Sequence, residues 1–280
     1  MDQKNLGTYA LNTWCPGCGN FAILNAVKTV IAELTQEGLP LEKAVLVSGI
    51  GCHGKIVDYI NTNSFYSIHG RDIPPAEAIK ISSPDVKVIV FAGDGDAYGE
   101  GIEHLIFAAK RNIDITMIIH NNRVYGLTTG QYTPTSPFGF KGRSTPRGTK
   151  EAPINPLELM LASGATYLAR GTSHGIELLK RIFREAIAHK GFSLVDVLQV
   201  CVTYYNMYDY YDKRVYELKD HNPADINQAL AKIREWDYNK DAPICLGELF
   251  KKENVAGQED SAQGPVDREN KIKEFLSSSI

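Results

Sequence analysis

The sequence has no excess of either charge, no long apolar run and few cysteines, and each absence excludes a class of protein. Across 280 residues, 30 Lys and Arg stand against 33 Asp and Glu, for a net charge of −3. That balance gives no electrostatic case for a nucleic-acid partner or an anionic membrane surface. No apolar run approaches the ~20 residues that a membrane-spanning helix needs. No apolar signal segment follows Met1-Asp2-Gln3-Lys4-Asn5. The expectation is a cytoplasmic chain without membrane contact. The five cysteines, at 15, 18, 52, 201 and 245, argue in that setting against a disulfide framework. There is no internal repeat and no low-complexity tract. What is present is an apolar content of 43%, enough for a substantial core, over a length that suits one large domain or a domain with an appendage.

Strands and helices alternate along the chain. Helices are predicted over Phe21–Gln36, Ala76–Ser82, Tyr98–Asn112, Pro156–Ser163 and His174–Lys190. Buried strands are predicted over Ala44–Ser48, Val86–Ala92, Ile113–His120, Ala165–Ala169 and Ser193–Val200. This alternation is consistent with one parallel sheet covered on both faces. Asn122 to about Asn155 reads as irregular, and a loop of that length is usually functional or mobile. Its Lys141, Arg143, Arg147 and Lys150 form either a solvated basic loop or a contact for a carboxylate substrate, coenzyme A or a partner chain. Tyr204–Tyr216 suits a packed connection or an interface. A helix is expected within Asn222–Trp236, an extended segment over Ala242–Phe250, and an arm or frayed tail from Lys251 onward.

The chemistry concentrates in one βαβ unit, from Val86 to Asn122. Gly93-Asp94-Gly95-Asp96 closes its first strand and Asn121-Asn122 its second. Open α/β sheets bind ligands at such strand ends. The glycines let backbone approach a ligand closely. Asp94 offers an anionic oxygen and Asn122 a neutral one, 28 positions apart (122 − 94). Mg²⁺ takes a few such oxygens together with phosphate, and the start of the following helix favours an anion. The unit is therefore able to hold a Mg²⁺–diphosphate. An ordinary turn is the alternative for Gly-Asp-Gly alone; the second polar turn on the next strand favours the ligand site.

A second theme is cysteine. Trp14-Cys15-Pro16-Gly17-Cys18 places two thiols on a tight turn. A redox pair, a zinc site and an iron–sulfur cluster all use that spacing. Cys52 lies in the glycine-rich turn Gly49-Ile50-Gly51-Cys52-His53-Gly54 after a strand, and Cys201 follows another strand. Cys245 reads as a packed hydrophobe.

Gly93-Asp94-Gly95 followed by Asn121-Asn122 resembles the thiamine diphosphate signature. Its continuation, Tyr125-Gly126-Leu127-Thr128-Thr129-Gly130-Gln131 with Pro134-Thr135-Ser136 after it, resembles more narrowly the β subunit of 2-oxoacid:ferredoxin oxidoreductases. The likeness runs from about Trp14 to Tyr205 and includes His69-Gly70-Arg71 and Cys201-Val202-Thr203. It implies a three-layer thiamine-diphosphate-binding α/β fold over 1–205, its mostly parallel sheet covered on both faces. Residues 206–280 would form a C-terminal extension and arm, packed on that domain or on a partner subunit. Asp94, Asn122 and the Val124 carbonyl are implied as Mg²⁺ ligands. Ile50, Gly51, Cys52, His53, Gly93, Gly95, Asp96, Gly126 and Leu127 would line the thiamine site, and His69 would contact the cofactor as a catalytic residue. Cys15, Cys18, Cys52 and Cys201 are implied as ligands of a single 4Fe–4S cluster. Beside a thiamine cofactor a redox cluster makes chemical sense, because zinc accepts no electrons.

The implied activity is coenzyme A-dependent oxidative decarboxylation of a 2-oxo acid, pyruvate or 2-oxoglutarate, with electrons passing to ferredoxin. Only ~80 residues follow Cys201, too few for a second doubly wound domain. The half of the site that holds the cofactor's pyrimidine ring is therefore expected from an α subunit, as αβ or a dimer of such units. Two other classes stand beside this reading: a non-redox thiamine-diphosphate decarboxylase or synthase, and a zinc-stabilised binding module.

Overall fold

The structure is a computed structural model that describes residues 6–261 and 268–278. Its centre is an eight-stranded sheet: β1 (Ala44–Ser48), β2 (Asn63–Tyr66), β3 (Lys87–Gly93), β4 (Ile115–Asn121), β5 (Tyr167–Thr172), β6 (Ser193–Leu198), β7 (Val215–Glu217) and β8 (Ile244–Lys251). Across the sheet the order is β2-β1-β3-β4-β6-β5-β8-β7. Strands β1 to β6 pair in parallel; β8 runs antiparallel to β5, and β7 parallel to β8.

The unbroken apolar runs of the central strands follow from burial on both faces. In β3, Val88, Val90 and Ala92 enter one core while Ile89 and Phe91 enter the other. Each core is closed by helices whose apolar residues recur at three- and four-residue spacing. On one face lie α1 (Asn20–Gln36), through Ile23, Val27, Val30 and Ile31, and α5 (Ile176–Ala188), through Leu179, Ile182, Phe183 and Ala186. On the other lie α2 (Ile73–Ser82), α3 (Ile102–Arg111), α4 (Pro156–Ala162) and α7 (Ile226–Glu235). The three-layer α/β architecture is the expected one.

Several boundaries differ from the sequence reading. The helix expected from Tyr98 is split: Asp96–Glu100 forms a π-helical turn, closed by the Gly101 N–H on the Asp96 carbonyl at 2.9 Å, before α3 begins. Wide turns of this kind are frequent at functional sites. The strand placed at Ala165–Ala169 lies two residues later and runs to Thr172. Helix α2 starts at Ile73, so the Pro pair sits inside its first turn, where no N–H is needed. The short strands β2 and β7, the 3₁₀ helix His53–Tyr59 and the short helix α6 (Tyr208–Asp212) have no counterpart in the sequence reading. All four residues of β2 are exposed, Phe65 and Tyr66 included, and four residues are too few for a readable alternation.

The segment Ala242–Phe250 is not peripheral. As β8 it lies between β5 and β7 in the main sheet, and Cys245 is fully buried there. The tyrosine-rich stretch packs, with Met207 and Tyr211 joining Trp236 and Tyr238 in a third apolar cluster. Beyond it, in the stretch expected to be an arm or frayed tail, α8 (Arg268–Ser278) forms and exposes Ile272, Phe275 and Leu276. Gly264, Pro265 and the first five residues lie outside the described residues. Among the described residues no helix is long and apolar enough to cross a membrane.

Candidate functional site

Parallel pairing brings the C-terminal ends of β1, β3, β4 and β6 to one edge of the sheet, and the polar turns meet there. A cleft with about 430 Å³ of free space opens between them. Its wall contains Ile50, Gly51, Cys52 and His53 after β1, and His69 before α2. Gly93, Asp94, Gly95 and Asp96 follow β3; Asn122, Val124, Gly126 and Leu127 follow β4. Every residue implied for the thiamine and Mg²⁺ site therefore lines one cavity, whereas Lys141, Arg143, Arg147 and Lys150 do not. Tyr125 and Thr128 line it as well.

Helical geometry begins at Asp94 itself, so the carboxylate sits at the mouth of the turn and is 2% exposed. Burial pushes its acidity to about 6, against the hydrogen bonds from Thr133 and Thr135 that favour the anion. The Thr135 hydroxyl donates to Asp94 Oδ2 at 2.7 Å. Asn122 turns its Oδ1 back to accept from the Val124 N–H at 3.0 Å. Between them Arg123 holds a left-handed backbone at φ +62°, which costs about 1 kcal/mol or more in a non-glycine residue. Gly95 is obligatory in this setting, because a Cβ would stand 2.2 Å from the Tyr125 ring.

Asp96 organises the other wall. Its Oδ2 lies 3.1 Å from His53 Nε2 and its Oδ1 2.9 Å from His69 Nδ1, while the Gly70 N–H donates to Oδ1 at 2.6 Å. Burial opposes ionisation, but the two imidazoles outweigh it and hold the carboxyl down at about 2. The same contact with Asp96 raises His69, which remains partly exposed to the cleft. Tyr125 closes this side, its hydroxyl 3.1 and 3.0 Å from the two Glu100 oxygens.

Asp72, the residue before α2, lies behind this wall with no exposure, and neither carboxyl oxygen has a hydrogen-bond partner among the described residues. Burial, then the Asp96 charge, pushes it up to about 8. The folded state thus holds a proton that the unfolded chain releases near the ordinary carboxylate range, and stability falls as pH rises from there to about 8. Asp72→Asn should flatten that decline. Melting temperatures at pH 5 and pH 8 test this: equal losses in wild type and variant would mean that Asp72 ionises in the fold without cost.

The cysteines approach the cleft from its outer side. The Cys18 N–H donates to the Cys15 carbonyl at 3.0 Å, closing the predicted tight turn. The Gly19 N–H donates to the Val200 carbonyl at 3.1 Å, docking that turn on the approach to Cys201. Trp14 Nε1 donates to the Cys52 carbonyl at 2.6 Å. A Cβ on Gly126 would lie 3.6 Å from the Cys201 sulfur and 3.7 Å from that of Cys52, so a cleft-lining residue also touches two of the thiols. Burial pushes the Cys18 thiol up to about 11, and the neighbouring Cys201, Cys52 and Cys15 add to the rise. Among the described residues no three such side chains converge tightly enough for one metal ion. Cys245 lies apart on β8, its thiol on the Lys232 carbonyl at 3.3 Å.

Sequence reasoning assigns no separate role to Thr135 or Arg123. The signals available for Thr135 are its place in the family-like Pro134-Thr135-Ser136 and the density of hydroxyls from Thr133 to Ser136, within a loop too long to be idle.

A mostly parallel α/β sheet with this Gly-Asp-Gly cleft defines the thiamine diphosphate enzymes. Residues 49–197 match the family described as thiamine pyrophosphate enzyme, C-terminal TPP binding domain. Residues 201–264 match the family that describes the C-terminal part of the pyruvate ferredoxin oxidoreductase β chain. Among relatives, a 2-oxoacid:ferredoxin oxidoreductase subunit beta of Saccharolobus solfataricus is 45% identical over 80% of this chain and 78% of its own. A 2-oxoglutarate synthase subunit KorB of Archaeoglobus fulgidus is 40% identical over 68% of this chain and 70% of its own. A solved 2-oxoglutarate:ferredoxin oxidoreductase from Magnetococcus marinus, with 2-oxoglutarate, coenzyme A and succinyl-CoA bound, superposes with a TM-score of 0.87 and 32% identity. It covers 99% of this chain and 91% of that one. The chain belongs to the 2-oxoacid:ferredoxin oxidoreductase β subunits, and so to an oxidoreductase.

Proposed function

We propose that this β subunit binds Mg²⁺–thiamine diphosphate in the cleft and one 4Fe–4S cluster on Cys15, Cys18, Cys52 and Cys201. Joined to an α subunit, it would oxidatively decarboxylate a 2-oxo acid with coenzyme A and deliver electrons to ferredoxin. The observation that carries this reading is the shared wall at Gly126, which lines the cleft and lies against the thiols of Cys52 and Cys201. A carbon-centred oxidation and an electron acceptor need such adjacency.

The donor set fits the implied groups. Asp94 is a desolvated carboxylate that a cation would compensate, and Asn122 and Val124 line the same cavity. Glycines line the cleft where a diphosphate would need close backbone. Burial and the neighbouring thiols disfavour the thiolates of Cys18 and Cys52, a cost that the positive charge of bound iron would offset. When bound, thiamine diphosphate supplies the electron sink for decarboxylation, and the cluster takes up electrons singly.

The chain's own residues do the holding. Thr135 orients Asp94, and the left-handed Arg123 presents Asn122. His69, held cationic to higher pH by Asp96, faces the space that an anionic diphosphate or substrate carboxylate would fill. His53 and Gly70 fix that Asp96. The exposed Leu127 and Tyr66 and the open face of the cleft suit closure by an α subunit.

Reconstitution tests the proposal. The purified β subunit, loaded with cofactor and cluster, should show almost no 2-oxo acid oxidation until its α subunit is added. Full turnover by the β subunit alone would overturn the division of the site between subunits.

A further inference from the structure

Behind Asp94 and Asn122 lies a buried polar array, and it ends in the C-terminal segment, far along the chain from the βαβ unit. Thr135 has one hydroxyl proton, shared between Asp94 Oδ2 at 2.7 Å and Asn121 Oδ1 at 3.0 Å. The charged carboxylate is the stronger acceptor. Asn121 is oriented in turn by its amide N–H on Asp196 Oδ1 at 2.9 Å. Asp196 is fully buried and accepts from Tyr98 at 3.1 Å and from the hydroxyl of Tyr238. A second arm runs through Arg123. Its Nε donates to the Thr135 carbonyl at 2.8 Å and its Nη2 to the Tyr238 carbonyl.

Trp236 and Tyr238 pack against each other, ring centroids 4.3 Å apart. The guanidinium of Arg123 lies 5.4 Å from the Trp236 ring and that of Arg170 also 5.4 Å. Arg170 is fully buried, and its Nε and Nη2 have no hydrogen-bond partner among the described residues. Its Nη1 reaches the Cys245 sulfur at 3.6 Å, and the aromatic pair and the nearby Asp196 charge add to that. The Asp196 carboxylate thus stands against the Arg170 guanidinium in one desolvated volume, with Asp94 close enough to feel the Asp196 charge. Such arrays are strongly specified, because any member left unpaired is costly.

We propose that Tyr238 is a positioning residue for the cofactor site. Its hydroxyl fixes Asp94 through Asp196, Asn121 and Thr135, and its carbonyl fixes the Asn122 turn through Arg123. The C-terminal segment is then part of the machinery that sets the metal-binding geometry, 144 positions (238 − 94) from Asp94 in sequence. The inference rests on the reading of Asp94 and Asn122 as Mg²⁺ ligands.

A paired substitution separates positioning from stability. Tyr167 is equally buried, on β5 but in a different core, and its hydroxyl faces Glu248 and Glu185 rather than any member of this array. Tyr238→Phe and Tyr167→Phe each remove one buried oxygen and keep the ring. Calorimetric titration with Mg²⁺-saturated thiamine diphosphate should show about tenfold weaker binding for Tyr238→Phe, the scale of a lost hydrogen bond to a charged group. Tyr167→Phe should bind as wild type. Thr135→Val should weaken binding at least as much, and Thr135→Ser should restore it. Wild-type affinity in Tyr238→Phe, with binding lost in Asp94→Ala, would overturn the positioning role and leave the ligand assignment standing. Unchanged affinity in Asp94→Ala as well would remove both.

Discussion

Replacing Asp94 by alanine will abolish Mg²⁺-dependent binding of thiamine diphosphate and leave the chain folded. The two halves of that result have different causes. Asp94 is a buried carboxylate whose acidity is already pushed to about 6 by desolvation, so its ionised form is costly to the fold without a cation beside it. Removing it relieves that cost and frees the hydroxyls of Thr133 and Thr135, which have Ser136 Oγ at 3.3 Å and Asn121 Oδ1 at 3.0 Å as other partners. Binding, in contrast, loses the anionic ligand of a hard cation. Residues that merely support a ligand are worth ten- to a hundredfold in metal affinity, so the ligand itself should cost at least ~100-fold. Calorimetry with Mg²⁺ and thiamine diphosphate measures the loss, and a thermal melt checks the fold. An unchanged affinity would sink the assignment.

The second large effect is on iron. Anaerobically purified protein should carry about four irons per chain, one per cysteine ligand of a 4Fe–4S site. Serine at Cys15, Cys18, Cys52 or Cys201 should each strip that iron. Cys15 gives the cleanest variant, because its side chain is exposed and its loss perturbs no packing. Cys245→Ser should retain the full content: that thiol is buried on β8 and contacts the Lys232 carbonyl and Arg170, not the other thiols. Iron loss confined to the four, against retention at the fifth, distinguishes a ligand set from general sensitivity to cysteine replacement.

Much of this was legible in sequence wherever local pattern and final environment agree. Val86 to Ala92 reads as a strand buried on both faces because it is apolar at nearly every position, and the structure divides those residues between two cores. The polar turns at Asp94 and Asn122 stand out because each interrupts such a run. Pairing β3 with β4 in parallel then places them together without further information. Signals that depend on distant parts of the chain were not legible. Nothing local to Ala242–Phe250 says that it joins the sheet antiparallel to β5, since that register is set by contacts some 80 positions away. Thr135 sits in a loop with no periodicity, and its role exists only once the loop folds back over Asp94. The π-helical turn at Asp96–Glu100 replaces a regular helix start and lets one carboxylate meet His53, His69 and the Gly70 N–H, three partners from two other segments.

The central claim is that one chain joins a thiamine diphosphate cleft to a redox cluster. Metal analysis of the anaerobically purified protein, read together with its visible absorption spectrum, tests that claim most directly. The account predicts a brown protein with about four irons per chain, no stoichiometric zinc, and absorption that bleaches on reduction. A colourless protein holding stoichiometric zinc and no iron would contradict it.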